Sequence, residues 1–191
     1  LGKEDRFELL TFNVKPHTLF GTLQAATTER KTEAKSFLDT QTARGGTVLA
    51  PAMTTAYKYG QPDRALSVVI LSDGMTEQRE RQALMRLIQA RPRHARVFCI
   101  GIGNEVNRPL LEQMAQDAGG LAAFISRGDD FSRQAKAFRR KLMRPVAADL
   151  ALDFGGLRVY DVEPRVLPNL YHGSPVRVYG RYAGGGETKL T

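Results

Sequence analysis

The chain has 191 residues, a formal net charge of +8 and 42% hydrophobic residues. These values fit a globular domain with its own core and exclude a disordered chain, a collagen-like repeat and a coiled coil. No apolar run approaches the roughly 18 residues that a membrane span needs, so no transmembrane segment is expected. The single cysteine, Cys99, excludes an internal disulfide, and its place in an apolar run predicts an inert core residue.

The first third of the chain predicts strand and helix in alternation. Residues 6–12 are a mostly apolar run that predicts a strand, and residues 27–40 predict a helix. A Gly45-Gly46-Thr47 turn follows, and then a second helix that ends near Tyr59. Residues 66–71 are rich in β-branched side chains and nearly all apolar, which predicts a strand covered on both faces.

The alternation continues to about residue 144. We predict helices over 76–90 and 107–118, strands over 97–102 and 121–125, and a last helix that Asp129 or Asp130 caps and that ends at Met143. Strands and helices at this spacing form βαβ units. The fold class is therefore α/β, with a mostly parallel, doubly wound, Rossmann-like sheet.

The pattern changes at Pro145. Residues 149–154, 157–160 and 176–182 alternate apolar with polar side chains between glycines and prolines, which is typical of antiparallel strands. We therefore predict an α/β domain over 1–144 and a partial β-rich module over 145–191.

Two polar residues are candidates for binding chemistry. Ligands of an open α/β sheet bind at the carboxyl ends of its strands, where Asp73 directly follows the strand over 66–71 and Thr47 opens a helix. A carboxylate and a hydroxyl that converge there could hold a hard cation such as Mg²⁺. On spacing alone, helix N-caps are the favoured interpretation of both residues.

Basic residues are concentrated in two windows, 79–96 and 127–144. Both windows predict amphipathic helices whose arginines form the solvated face. A positive chain also favours anionic partners, so a polyanion- or nucleic-acid-binding module remains the alternative function. Nucleic acid is the less favoured of these partners, because 8% aromatic content without tryptophan offers no stacking platform.

Several motifs stand in an order that resembles a known family. Gly46-Thr47 before a helix, Val68-Val-Ile-Leu-Ser-Asp73-Gly74, Val97-Phe-Cys-Ile-Gly-Ile-Gly103 and Leu110-Leu-Glu-Gln-Met-Ala115 together resemble the von Willebrand factor A domain. The inter-alpha-trypsin inhibitor heavy-chain type, in which a β-rich region follows the A domain, is similar in further segments: Asp5-Arg-Phe, Phe12-Asn13, Asn107-Arg-Pro-Leu-Leu and the stretch after Pro145.

The resemblance implies a metal-ion-dependent adhesion site for Mg²⁺ or Mn²⁺. In that family three loops hold the ion, and by motif Thr47 supplies the second-loop hydroxyl and Asp73 the third-loop carboxylate. An acidic side chain of a protein ligand then completes the coordination shell. The first-loop motif, Asp-x-Ser-x-Ser, is absent from the 191 residues, and the nearest string, Asp130-Phe-Ser-Arg-Gln134, opens the last predicted helix instead.

The same resemblance sets the expected function. The chain is expected to be a protein-binding adhesion domain rather than an enzyme, outside the cytoplasm or at the cell envelope. The family's first strand would precede Leu1, which would leave a free sheet edge and permit self-association. A purely structural domain without a metal site is a further alternative.

Overall fold

The computed structural model describes residues 1–191 except 3, 43–44, 127, 144–145, 148–149, 165–166, 168, 172–174 and 186, with the backbone alone over 140–143. Its helices are α1 Thr28–Asp39, α2 Leu49–Tyr57, α3 Gln78–Gln89, α4 Arg108–Asp117 and α5 Phe131–Met143. Its strands are β1 Arg6–Phe7, β2 Leu10–Phe12, β3 Pro16–Thr18, β4 Gln24–Ala25, β5 Leu66–Ser72, β6 Ala95–Ile102, β7 Ala122–Ile125, β8 Arg158–Glu163 and β9 Tyr179–Ala183.

The centre of the fold is a parallel sheet in the order β5-β6-β7. Leu66 of β5 is paired with Ala95 of β6, and Cys99 of β6 with Ala122 of β7. Helices separate these strands along the chain, so the predicted α/β class with a parallel Rossmann-like sheet is confirmed.

One face of this sheet is closed by helices. Ile70, Val97 and Cys99 point into a core that α2, α3 and α4 complete. The large helical side chains of this core that are fully buried are Leu49, Met53, Leu84, Ile88, Leu110, Leu111 and Met114. Their three- and four-residue spacing is the amphipathic pattern that the sequence showed.

The opposite face is only half covered. Phe98 of β6 packs edge-on against Phe138 of α5 and against Tyr171. On β5, however, Val69 is 40% exposed and Leu71 is 55% exposed. The prediction of a strand covered on both faces is therefore wrong for β5, because α5 packs against β7 at the other side of the sheet. A groove of about 180 Å³ remains between α5 and the sheet.

The helix boundaries follow local capping chemistry. Thr27 caps α1 by accepting a hydrogen bond from the amide of Arg30, and Asn107 caps α4 in the same way. Asp130 caps α5, since its Oδ1 accepts from the amide of Arg133 at 3.0 Å. Of the two capping residues that the sequence allowed for this helix, the structure therefore uses Asp130.

The amino-terminal region differs from the prediction of one strand over 6–12. Two short antiparallel strand pairs replace it: β1 is paired with β4, and β2 forms a hairpin with β3. Glu8 interrupts the run because its Oε1 accepts hydrogen bonds from the amides of Leu9 and Phe20. The side chain of Asn13 makes the β2–β3 turn by accepting from the amide of Val14.

The carboxyl-terminal region contains the antiparallel pair β8–β9, as predicted. Residues 150–154 form no strand, whereas Asp149 and the predicted boundary at Pro145 lie outside the described residues. Tyr171 is buried and its hydroxyl donates to the carbonyl of Gly119 at 2.8 Å. This part of the chain thus packs on the α/β core, and the division into 1–144 and 145–191 stays a prediction.

No helix in the part of the chain that the structure describes is long and apolar enough to cross a membrane.

Candidate functional site

Asp73 directly follows the carboxyl end of β5. Its backbone carbonyl accepts a hydrogen bond from the amide of Asn107 at 2.8 Å, which ties it to the start of α4. Gly74 has φ +70°, and a Cβ there would lie 3.0 Å from Cγ of Leu111. The chain therefore turns tightly here, where only glycine fits well, and presents the half-buried Asp73 in a fixed position.

The carboxylate of Asp73 keeps one free oxygen. Its Oδ1 accepts a hydrogen bond from the amide of Met75 at 3.0 Å. Within the described residues Oδ2 has no hydrogen-bond partner, so it is available to a ligand.

Thr47 lies in an anchored loop two residues before α2. The amide of the next residue, Val48, donates to the carbonyl of Asn13 at 2.8 Å. Gly46 has φ +88°, and a Cβ there would lie 3.0 Å from Cγ2 of Val14. Thr47 is half-buried, and across the residues whose placement is described its hydroxyl makes no hydrogen bond.

Neither candidate residue is a helix cap. The N-cap of α2 is Val48 and the N-cap of α3 is Glu77, and neither makes a capping hydrogen bond through its side chain. The capping interpretation, which the sequence left open for Thr47 and Asp73, is therefore wrong. Helix capping therefore explains neither the hydroxyl of Thr47 nor the carboxylate of Asp73.

The structure fixes the two residues through a common core but does not bond them to each other. Leu49, at the start of α2, and Leu111, in the first turn of α4, belong to one buried cluster. No hydrogen bond joins Thr47 to Asp73 in the described ranges, and no group of three or more His, Cys, Asp or Glu side chains there is placed to hold a metal. The donors suit a hard cation in kind, but they are two oxygens where Mg²⁺ takes about six.

Asp130-Phe131-Ser132 does not replace the absent first-loop motif. Asp130 uses its carboxylate to cap α5, as the sequence position indicated.

Cys99 is excluded as a reactive group. It is buried in β6, and burial raises the pKa of its thiol to about 12. Because only the thiolate is an effective nucleophile, this thiol is inert at neutral pH. The prediction of a core cysteine is confirmed.

The basic helices expose their arginines, as expected. Arg79, Arg81 and Arg86 of α3 are exposed, whereas Leu84 and Ile88 of the same helix are fully buried. The charge is therefore a solvated face.

A second concave surface, which no sequence motif indicates, lies at the amino ends of β5 and β6. It is built from residues 60–66 and 92–95. Because these two segments are separated by a whole helix, no local motif reveals that they meet.

A comparison with family models matches residues 1–124 to the von Willebrand factor type A domain. This chain belongs to that family. The match contains both Thr47 and Asp73. Membership establishes the domain type and the fold, and it does not by itself establish that a metal is bound.

Among curated proteins, the chain is similar to inter-alpha-trypsin inhibitor heavy chains. It is 29% identical over 195 residues to inter-alpha-trypsin inhibitor heavy chain H4 of Bos taurus, covering 95% of this chain and 21% of the relative. It is 26% identical over 196 residues to heavy chain H2 of Sus scrofa, again covering 95% and 21%. The chain spans about a fifth of the length of these relatives.

Solved structures agree on the fold. A von Willebrand factor type A protein from Catenulispora acidiphila superposes with a TM-score of 0.68 at 23% identity, covering 100% of this chain and 48% of that one. The ArnB paralog VWA2 from Sulfolobus acidocaldarius gives a TM-score of 0.52 at 17% identity, covering 97% and 53%. At these identities the likeness concerns the fold alone.

Proposed function

We propose that this von Willebrand factor type A domain is a protein-binding module without catalytic activity. The observation that carries the proposal is the pair of polar side chains, Thr47 and Asp73, held on anchored loops without serving as helix caps. A carboxylate oxygen and a hydroxyl that fold stability does not require are suited to ligand binding. We also propose an extracytoplasmic location, in keeping with the inter-alpha-trypsin inhibitor heavy chains it is similar to.

The proposed ligand contact is made through a divalent cation. Oδ2 of Asp73 and the hydroxyl of Thr47 would hold Mg²⁺ or Mn²⁺, with water and further groups completing the shell. When bound, the ion supplies a positive centre that one carboxylate does not neutralise. An acidic side chain of a protein ligand is then the natural partner.

The metal proposal is tested by Mn²⁺ titration, followed through the electron paramagnetic resonance signal of the free ion. With two protein ligands, we expect a dissociation constant on the order of 10⁻³ M. Asp73→Ala should weaken binding by about tenfold or more, since it removes the charged ligand. Thr47→Val should weaken it less, because the lost ligand is neutral.

The matched control is Asp63→Ala. Asp63 is an exposed carboxylate in the turn before β5, so its loss changes the net charge equally. If Asp63→Ala weakens Mn²⁺ binding as much as Asp73→Ala, the attraction is general electrostatics and the site is wrong. No saturable binding would favour the alternative of a structural domain without a metal.

We also propose that two copies of the chain associate through β5. In the described residues no strand pairs with its outer edge, and Leu66–Ser72 contains no charged residue that would repel a second copy. Pairing of β5 with its counterpart around a two-fold axis would join two three-stranded sheets into one. The exposed Val69 and Leu71 would then lie beside side chains of the second copy across the new strand pair.

Sedimentation equilibrium tests this association. The chain should dimerise at micromolar concentrations, and Val69→Lys should make it monomeric because two like charges would be brought close together across the strand pair. Val14→Lys, which alters another exposed valine far from β5 in sequence, should leave the dimer intact. A monomer at all concentrations up to about 100 µM would contradict the proposal.

A further inference from the structure

A cavity with cationic side chains around it lies at the amino end of the sheet, opposite the edge that carries Asp73. Its volume is about 390 Å³, within the range of ligand pockets. The walls are the turn before β5 and the loop before β6, and the lining residues that matter here are Gly60, Gln61, Arg64, Pro92, Arg93 and His94.

The two walls are held together by backbone contacts. The amide of Leu66 donates to the carbonyl of His94 at 3.1 Å. A Cβ on Gly60 would lie 3.2 Å from Cγ of Pro92, so the two segments touch at the base of the cavity. The cavity is thus a defined feature of the fold.

Three cationic side chains that line the cavity have no hydrogen-bond or ion-pair partner in the described part of the chain. Among the residues described by the structure, the side chains of Arg64, Arg93 and His94 make no hydrogen bond or ion pair. The neighbouring Arg91 differs, because it donates to two backbone carbonyls and so serves the fold. The nearest acid in sequence, Asp63, is exposed and does not line the cavity.

We propose that this cavity binds a tetrahedral oxyanion, the phosphate or sulfate group of a small molecule. Two guanidinium groups present planar donors that match oxyanion geometry, and they remain charged at every physiological pH. The His94 imidazole adds a third nitrogen donor. A dianion with oxygens in several directions can use donors from both walls, whereas a single carboxylate cannot reach them all.

The test is a titration of inorganic phosphate into the 191-residue chain at physiological salt, followed by two-dimensional amide NMR. We expect saturable shifts confined to residues 61–66 and 92–95. The double variant Arg64→Gln/Arg93→Gln should bind phosphate about tenfold more weakly or worse. Both side chains are exposed, so the variant should keep the melting temperature of the parent.

A charge-matched control separates a site from general attraction. Arg79→Gln/Arg133→Gln removes two exposed arginines of α3 and α5 and should leave phosphate affinity unchanged. Equal weakening by both double variants, or shifts spread over the basic helices, would overturn the proposal. So would the absence of saturable shifts.

A second arm distinguishes a free ion from an esterified one. Glycerol 3-phosphate and inorganic sulfate are titrated under the same conditions. If glycerol 3-phosphate binds more tightly than inorganic phosphate, the rest of the cavity holds the organic part of the ligand. Equal binding of all three assigns the cavity to the free oxyanion.

Discussion

Replacing Gly120 by alanine is expected to lower the free energy of unfolding by more than about 4 kcal/mol, the largest stability loss that we predict for a single methyl group. Gly120 lies between α4 and β7, and a Cβ there would fall on the carbonyl oxygen of Val97 and 2.7 Å from its carbonyl carbon. Val97 is fully buried within β6. It cannot move aside without breaking the sheet.

The backbone around Gly120 cannot yield either. Its amide donates to the carbonyl of Ala115 at 2.8 Å, and the amide of Cys99 donates to the carbonyl of Leu121 at 3.0 Å. A shift that relieves the clash would break these hydrogen bonds, each of which is buried and costly to lose.

Urea denaturation of Gly120→Ala beside Gly128→Ala measures the effect. Gly128 has no atom within 4 Å of an added Cβ, so its variant should stay within about 0.5 kcal/mol of the parent. If Gly120→Ala is as stable as Gly128→Ala, the close contact described between Gly120 and Val97 of β6 is wrong.

Phe98→Ala is expected to cost about 3–5 kcal/mol of unfolding free energy. Phe98 is 1% exposed, and its ring is 6.4 Å from that of Phe138 and 5.9 Å from that of Tyr171, both in edge-on geometry. The substitution removes the ring that both Phe138 of α5 and Tyr171 contact. The cost of the cavity and the cost of the two lost aromatic contacts therefore add together.

Phe131→Ala is the matched control for this variant. Phe131 is 51% exposed at the start of α5, so its truncation should cost less than about 1 kcal/mol. In addition, Phe98→Ala should increase proteolytic cleavage after residue 145, because Tyr171 loses its packing partner. Equal melting temperatures for the two variants would contradict the described packing of β6.

The parallel sheet could be predicted from the sequence because its strands are strongly apolar and separated by well-capped helices. Residues 97–102 and 107–118 were each predicted within about two residues of β6 and α4. The exposure of one face of β5 could not be predicted in the same way. Its nearly continuous apolar run is the same as that of a strand buried on both faces, and only the position of α5 over β7 shows that Val69 and Leu71 are exposed.

The short amino-terminal strand pairs could not be predicted from the sequence for a different reason. Strands of two or three residues have too few side chains to show a period of two, and they exist because Glu8 and Asn13 hydrogen-bond to nearby amides. Likewise, residues 150–154 alternate as a strand does but have no partner strand among the described residues. Alternation predicts a strand only where a neighbour exists to pair with it.

The sequence proposes the two residues of the candidate site but does not show how they are placed. Asp73 was found because a carboxylate after a buried parallel strand lies at the ligand-binding edge. The sequence could not decide whether Thr47 and Asp73 cap helices, because capping depends on the residue at which a helix begins. In the structure α2 begins at Leu49 and α3 at Gln78, which leaves both side chains without that role.

Asp73 and Thr47 are proposed to hold a divalent cation. The most direct measurement is the paramagnetic broadening of amide NMR signals by substoichiometric Mn²⁺, which reports weak binding and its location together. The amides of residues 46–48 and 73–75 should broaden first, and Asp73→Ala should abolish this pattern. Broadening centred on other carboxylates such as Asp129, or an unchanged pattern in Asp73→Ala, would contradict it.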